Sequence, residues 1–526
     1  MIKIENPILK GFNPDPCICK GNGKYYIATS TFEWFPGVQI YESSDLVNWE
    51  LKCVPLNNIE YLDLKGIQDS AGIWAPALSF YEDNFYLVYT IAKQIDGYFK
   101  DVYNYVITSK SIEGPWSKPV FINGSGFDPS MYHEDGKHYV INPQWDPRPL
   151  EGHNKFNGLI LQEFDFEKGM VGESKIVFPG SGTGGSEGPH IIKKDDYYYI
   201  IAAEGGTGRH HSICVARAKS IWGPYEVSPY HPLITAWVKD TILKKSGHGN
   251  FVETDDGEWY MTHLCARYLN NKDVCVLGRE TALQKLEWID GWPRMIQGNN
   301  TPALEVEAPK CAKEKQEKST VYETNFNIDM DMVKEGWMSL RTPFDRKVKL
   351  TNNGLIIKGG DSLTSLHDQS LIARKWESFK LSSETCVQFN PYHYSQMAGL
   401  TCYYNTKVWH FLYVGYDEKA KKRIINILTN DNLSFNEPLK GNYIYVENSI
   451  KNIYLKAKVE QENLQFYYAC DDKEYKAIEP VLDASILSDE YAAGWAYTGA
   501  VCGITAIDAF NKDTSAMFNW FKQIKE

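Results

Sequence analysis

The run Gly23-Lys-Tyr-Tyr26-Ile-Ala28 returns four times in the chain. It reads as Asp83-Asn-Phe-Tyr86-Leu-Val88, Gly136-Lys-His-Tyr139-Val-Ile141, Asp196-Tyr-Tyr-Tyr199-Ile-Ile201 and Gly257-Glu-Trp-Tyr260-Met-Thr262. A turn residue, then aromatics, then an aliphatic run is the pattern of a β-hairpin entering its second strand. The aligned tyrosines stand 60, 53, 60 and 61 residues apart. Five hairpins at that spacing, with no long helical pattern between them, predict an all-β fold, a five-bladed β-propeller. Aromatics in Asn48-Trp49, Gly114-Pro-Trp116, Gly223-Pro-Tyr225 and Gly291-Trp292 fit the closing edge of a blade. A meandering sandwich with coincidental hairpins is the alternative.

Eleven or twelve residues before each aligned tyrosine stand Asp15, Trp74, Asp128, Glu187 and His248. In a propeller, equivalent points at the start of each innermost strand converge on the central axis. The period therefore predicts three carboxylates, an imidazole and an indole around one depression. Any one acidic group beside a proline reads as a turn, but three in register on five blades read as a site. Glycoside hydrolysis needs two carboxyl groups flanking the scissile bond, one to protonate the leaving oxygen and one to activate water or attack carbon. A third carboxylate would raise the pKa of the acid, because like charge disfavours ionisation. Trp74 would give a flat wall to a pyranose, and His248 would orient a carboxylate or water or hold a divalent ion.

Composition narrows the partners. The 526 residues carry a net charge of −12, which argues against nucleic acid and anionic membranes. Aromatics make up 14% of the chain, a surplus that suits both β-structure and a sugar surface. The 11 cysteines are scattered without a Cys-x-x-Cys pair, so neither a disulfide framework nor a structural zinc site is expected. The start, Met1-Ile-Lys-Ile-Glu-Asn-Pro7, lacks an apolar run of signal-peptide length, and no stretch of ~18 apolar residues occurs. A cytoplasmic location is expected.

Gly11-Phe-Asn-Pro-Asp-Pro16, Thr31-Phe-Glu-Trp-Phe-Pro-Gly37, Gly126-Phe-Asp-Pro-Ser130 and Ser186-Glu-Gly-Pro-His190 resemble the β-xylosidases of glycoside hydrolase family 43. Ala203-Glu-Gly-Gly-Thr207, Gly247-His248 and Leu277-Gly-Arg-Glu-Thr-Ala282 extend the resemblance over nearly the whole chain. It implies a catalytic propeller at 1–314, a concanavalin-like β-sandwich at 315–526, and inversion at the anomeric carbon. Under it Asp15 is the general base, Glu187 the general acid, and Asp128 the group that raises the Glu187 pKa and orients the sugar. Phe32, Trp74, Thr207, His248 and Arg279 match positions that touch substrate or carboxylates. Trp145, in Gln144-Trp-Asp-Pro147, reads as a further pocket wall. Acid and base should stand about 6.5–9.5 Å apart to admit water. No cofactor is required, although calcium or another divalent ion near His248 fits what some relatives hold.

Other motifs carry less. Gly180-x-Gly182-x-x-Gly185 matches a dinucleotide fingerprint and Gly184-x-Ser186-x-Gly188 a nucleophile elbow. Both need a following helix, which Pro189 and another hairpin deny. His210-His211 tempts a metal assignment, but neighbours in extended chain face opposite ways. Asn123-Gly-Ser125 and Asn432-Leu-Ser434 are sequons in form only.

Between Thr301 and about Ser319 the composition turns to Glu, Lys, Ala and Pro, which marks a solvated connection. Beyond it, alternating runs such as Tyr454-Leu-Lys-Ala-Lys-Val-Glu460 suit an antiparallel sandwich. In relatives a loop of this domain narrows the active-site mouth to a pocket. Ala496-Tyr-Thr-Gly-Ala-Val501, with Tyr497, is the candidate here. A pocket closed at one end implies exo-cleavage, releasing xylose from the non-reducing end of β-1,4-xylo-oligosaccharides. The expected partners are that small substrate and further copies of the chain, in a dimer or tetramer. An α-L-arabinofuranosidase or a dual enzyme is the near alternative, and a noncatalytic sugar-binding propeller the remote one.

Overall fold

The computed structural model describes residues 2–148, 155–471 and 474–526. Among them no α-helix occurs, only two short 3-10 turns at Phe344–Arg346 and Ala484–Ile486. Each repeat tyrosine pairs across its own hairpin at the same level: Cys19 with Tyr26, Ser79 with Tyr86, Tyr132 with Tyr139, Ile192 with Tyr199, and Val252 with Tyr260. The turns take the left-handed conformation that joins twisted strands tightly, with φ of 50° and 72° at Asn22 and Gly23 and 51° and 72° at Asp135 and Gly136.

Five antiparallel sheets follow in chain order. Their innermost strands begin at Cys17–Gly21, Gly72–Tyr81, Ser130–Glu134, Glu187–Lys194 and Lys244–Gly247. The ring is closed by the chain's first segment. Lys3–Glu5 pairs with Glu305–Glu307, Leu9 bridges Thr281, and the Asn13 N–H donates to the Arg279 carbonyl at 2.9 Å. That closure sets Asp15 beside Arg279.

The rest of the chain forms two stacked antiparallel sheets of eight and nine strands. The nine-stranded sheet ends on a strand of the propeller: Trp34–Phe35 leaves the first blade and pairs with Met338–Leu340. One hydrophobic cluster accordingly runs unbroken from Phe32, Trp34 and Ile73 to Leu340, Tyr403 and Val501.

This junction also buries charge. Arg341, 1% exposed, donates to the Ile67 carbonyl at 2.6 Å, to Asp69 Oδ1 at 3.0 Å and to Gln369 Oε1 at 3.1 Å. Asp69 also accepts from the Thr406 hydroxyl at 2.5 Å. Glu33, fully buried, accepts the Ser70 N–H at 3.0 Å. Burial and the Asp69 charge push the Glu33 carboxyl up to about 8 against the pull of Arg341. A carboxyl raised in the fold favours folding while protonated, so its contribution is lost as pH rises from about 4.5 through about 8. Thermal unfolding across that window should therefore fall less steeply for Glu33→Gln than for the native chain, by up to ~1.4 kcal/mol per pH unit. Parallel curves would show that Glu33 does not titrate there.

Candidate active site

The five in-register positions share a backbone device as well as a place. Asp15, Asp128 and His248 have φ of 53°, 50° and 41°, and on the other two blades the next residue takes that role, Ala75 at 35° and Gly188 at 54°. A left-handed residue costs a non-glycine side chain ~1–2 kcal/mol. The cost recurs on four of the five blades, at Asp15, Ala75, Asp128 and His248, and the fourth blade avoids it with Gly188. Gly188 meets a second demand, since a Cβ there would lie 2.5 Å from the His248 ring.

Asp15 is held on both oxygens. Ser30 Oγ donates to Oδ2 at 2.6 Å and Arg279 Nη1 to Oδ1 at 3.1 Å, with His248 Nδ1 3.8 Å from Oδ1. Burial alone would raise its pKa, but Arg279, His248 and Ser30 outweigh it and hold the carboxyl below its ordinary value. Glu187 behaves oppositely: burial and the Asp15 charge push it up to about 7, against Arg279. Asp128 is driven well up by burial, Glu187 and Asp15. Its backbone N–H donates to Thr90 Oγ1 at 3.1 Å. The charge that bears most on Glu187 is thus that of Asp15, while Asp128 and Glu187 compete for protons. One carboxyl held towards its ionised form and another towards its protonated form, in one pit, is what general acid–base hydrolysis requires.

Arg279, 3% exposed, organises the pit. Besides Asp15 it donates to Thr207 Oγ1 at 2.8 Å and to the Tyr497 carbonyl at 3.1 Å. Its guanidinium packs against the paired rings of Phe32 and Tyr497, at 5.4 and 5.1 Å. Tyr497 comes from the second domain, pinned by its N–H to Ser70 Oγ at 2.9 Å. Trp74 donates to the Ser70 carbonyl at 2.9 Å and meets Phe127 edge-on at 5.5 Å. Phe156 continues that wall to Phe127 and to Trp145. Lys100 lies 4.7 Å from the rings of both Trp145 and Trp495. Trp495 in turn donates to Asp96 at 2.6 Å.

His248 and Asp15 are joined by no third His, Cys, Asp or Glu donor within 4.8 Å; among the described residues the one such group of three is Glu204, Cys214 and His231. Asp15 Oδ1 already accepts from Arg279, so these two side chains do not by themselves make the six-to-eight-oxygen shell of calcium. His210 and His211 point apart, although a turn closed by the His211 N–H on the Gly208 carbonyl, and not extended chain, divides them. His210 is exposed, while His211 is 1% exposed with Nδ1 2.9 Å from the Lys245 carbonyl. The glycine-rich stretch before Glu187 leads into the strand Glu187–Lys194, as neither decoy motif allows.

A sequence profile described as Glycosyl hydrolases family 43 matches residues 4–293, and one described as Beta xylosidase C-terminal Concanavalin A-like domain matches 325–523. The chain belongs to glycosyl hydrolases family 43. It is 40% identical to a Beta-xylosidase of Bacillus subtilis (strain 168), over 99% of both chains. It is 41% identical to Xylosidase/arabinosidase 43B of Humicola insolens, over 99% of this chain and 97% of that one. The crystal structure of xylan beta-1,4-xylosidase from Bacillus halodurans C-125 superposes with a TM-score of 0.95 at 40% identity, covering 99% of this chain and 100% of that one.

In this family 43 chain all ten residues singled out from sequence lie among the described residues. Eight are linked by the contacts above; Asp128 and Glu187 join through the charges that act among them and Asp15. Sequence reading missed Ser30, Thr90, Phe127, Phe156 and Lys100. Ser30 sits just outside the quoted run at 31–37, and Phe127 stands inside the quoted run Gly126–Ser130, where Asp128 drew the reading; Thr90, Phe156 and Lys100 fall on strands or loops whose pattern looks purely structural.

Proposed function

We propose that this family 43 enzyme is an inverting, exo-acting β-1,4-xylosidase that releases xylose from the non-reducing end of xylo-oligosaccharides. The observation that carries the reading is one pit in which Arg279 and Ser30 hold Asp15, Tyr497 of the second domain packs on Arg279, and burial with the Asp15 charge acts on Glu187. Asp15, ionised, takes a proton from water as its oxygen bonds to the anomeric carbon. Glu187, kept partly protonated up to about pH 7, gives its proton to the glycosidic oxygen as the bond to carbon breaks. Direct attack by water leaves the product with the opposite anomeric configuration. Arg279 keeps Asp15 charged and oriented, and Asp128 keeps the pair with Glu187 from losing both protons. The roof supplied by the second domain closes one end, which favours a terminal sugar over mid-chain binding.

The named relatives support xylose, and the Humicola insolens protein supports an arabinofuranosidase side activity as the second reading. Hydrolysis of 4-nitrophenyl β-xylopyranoside should exceed that of 4-nitrophenyl α-arabinofuranoside, with α-xylose as the first product by proton NMR. A large preference for the arabinoside would reverse the assignment, and β-xylose first would remove inversion. We take the division at 314/315 as the domain boundary, consistent with the change of sheets between Glu305–Glu307 and Val321–Thr324. We also place the enzyme in the cytoplasm as a dimer or tetramer. The buried cysteines Cys17, Cys19, Cys214, Cys265, Cys275, Cys402 and Cys502 carry no disulfide, which suits a reducing compartment, and no helix among the described residues is long and apolar enough to cross a membrane.

A further inference from the structure

Glu187 also borders a cavity of about 450 Å³ whose lining includes Phe156, Gly205, Gly206, His210 and Trp237. Asp15, Asp128, Trp74 and Arg279 do not line it, so the cavity reaches the acid but not the base. A general acid stands at the glycosidic oxygen, between the sugar under attack and the group that leaves. We infer that Trp237 and His210 form the platform that binds the leaving xylosyl units; this rests on the β-xylosidase reading above.

The outer wall of this cavity is built and unused. Trp237 is 53% exposed and the following Val238 87% exposed with φ 51°, apolar side chains that the fold does not cover. Among the described rings, the only partner of Trp237 is His210, edge-on at 4.7 Å. Both hang from fixed backbone. The Trp237 N–H donates to Thr235 Oγ1 at 3.1 Å, and Thr235 donates to the His211 carbonyl at 3.1 Å. Thr235 pairs with Ser212, while buried His211 is tied to the Lys245 carbonyl. Between this pair and Glu187 the wall is glycine, and at Gly206 nothing lies within 4 Å of where a Cβ would be. An aromatic face beside open backbone polar groups suits a pyranose, which offers an apolar ring face and hydroxyl edges. The opposite wall, Phe156, is itself aromatic.

The test compares β-xylosyl fluoride, whose leaving group is one atom, with xylobiose and xylotriose. Trp237→Ala should lower kcat/KM on xylobiose and xylotriose about 10-fold while changing the fluoride less than about 2-fold, with Trp237→Phe retaining most of the native value. His210→Ala should move the same way. An equal loss on fluoride and oligosaccharides, or no loss on either, overturns the platform and leaves the β-xylosidase reading intact. Failure of the native enzyme to cleave xylobiose and fluoride alike would overturn that reading, and the platform with it.

Discussion

Asp15→Asn should lower kcat/KM on xylobiose by about 10²–10⁴-fold, the loss expected when a positioned general base is removed. The substitution is a clean one. Asparagine tolerates the left-handed φ of 53° at this position, and its amide oxygen can still accept from Arg279 or Ser30. Alanine would mix backbone strain with the lost base. Glu187→Gln should cost a similar factor on xylobiose, yet recover most of it on 2,4-dinitrophenyl β-xyloside, whose leaving group needs no proton. The native pH profile of kcat/KM should rise on a limb below the ordinary carboxylate range, set by Asp15, and fall near pH 7. The falling limb belongs to Asp128 and Glu187 acting together, and Glu187→Gln should abolish it on the activated substrate. Equal losses on both substrates would remove Glu187 from the acid's role.

The second large effect lies away from the chemistry. Arg341→Met leaves Asp69, 6% exposed, as a buried carboxylate without its cation, which costs ~3–5 kcal/mol. The thermal midpoint should drop by several degrees, and activity with it. Ser70, next in the chain, holds both the Tyr497 N–H and the Trp74 indole. Adding Asp69→Asn to Arg341→Met should restore part of the stability, because the stranded charge is gone. A single-variant loss under ~1 kcal/mol would mean that water relieves Asp69 and that the junction is softer than its hydrogen bonds imply.

The propeller was legible because its architecture repeats, and repetition turns weak local signals into register. Tyr26, Tyr86, Tyr139, Tyr199 and Tyr260 occupy equivalent ladder positions, so counting back from them reached Asp15, Asp128 and Glu187 without any knowledge of contacts. Tyr497 was harder, having no counterpart in the repeat, and the family resemblance supplied its neighbourhood. The Arg341–Asp69 pair was invisible because its partners lie 272 residues apart and match no pattern. The departure of Trp34–Phe35 to the other domain was hidden for a similar reason: two aromatics in a strand-like run look the same whichever sheet receives them. Trp237 was lost in the aromatic surplus, since composition cannot tell a ring that is buried from one that faces an open cavity.

The borrowed edge strand and the distant roof have a consequence for how the enzyme is made. Ser70 waits for a partner 427 residues further on, and Trp34–Phe35 for an edge at Met338–Leu340. At ~5–20 residues per second on the ribosome, the first two blades stand for about 20–90 s with that edge and the wall beneath Tyr497 open to the cell. The nascent chain is thus inactive and adhesive for most of its synthesis, and hydrolytic competence arrives as a late event, when the last sheet docks.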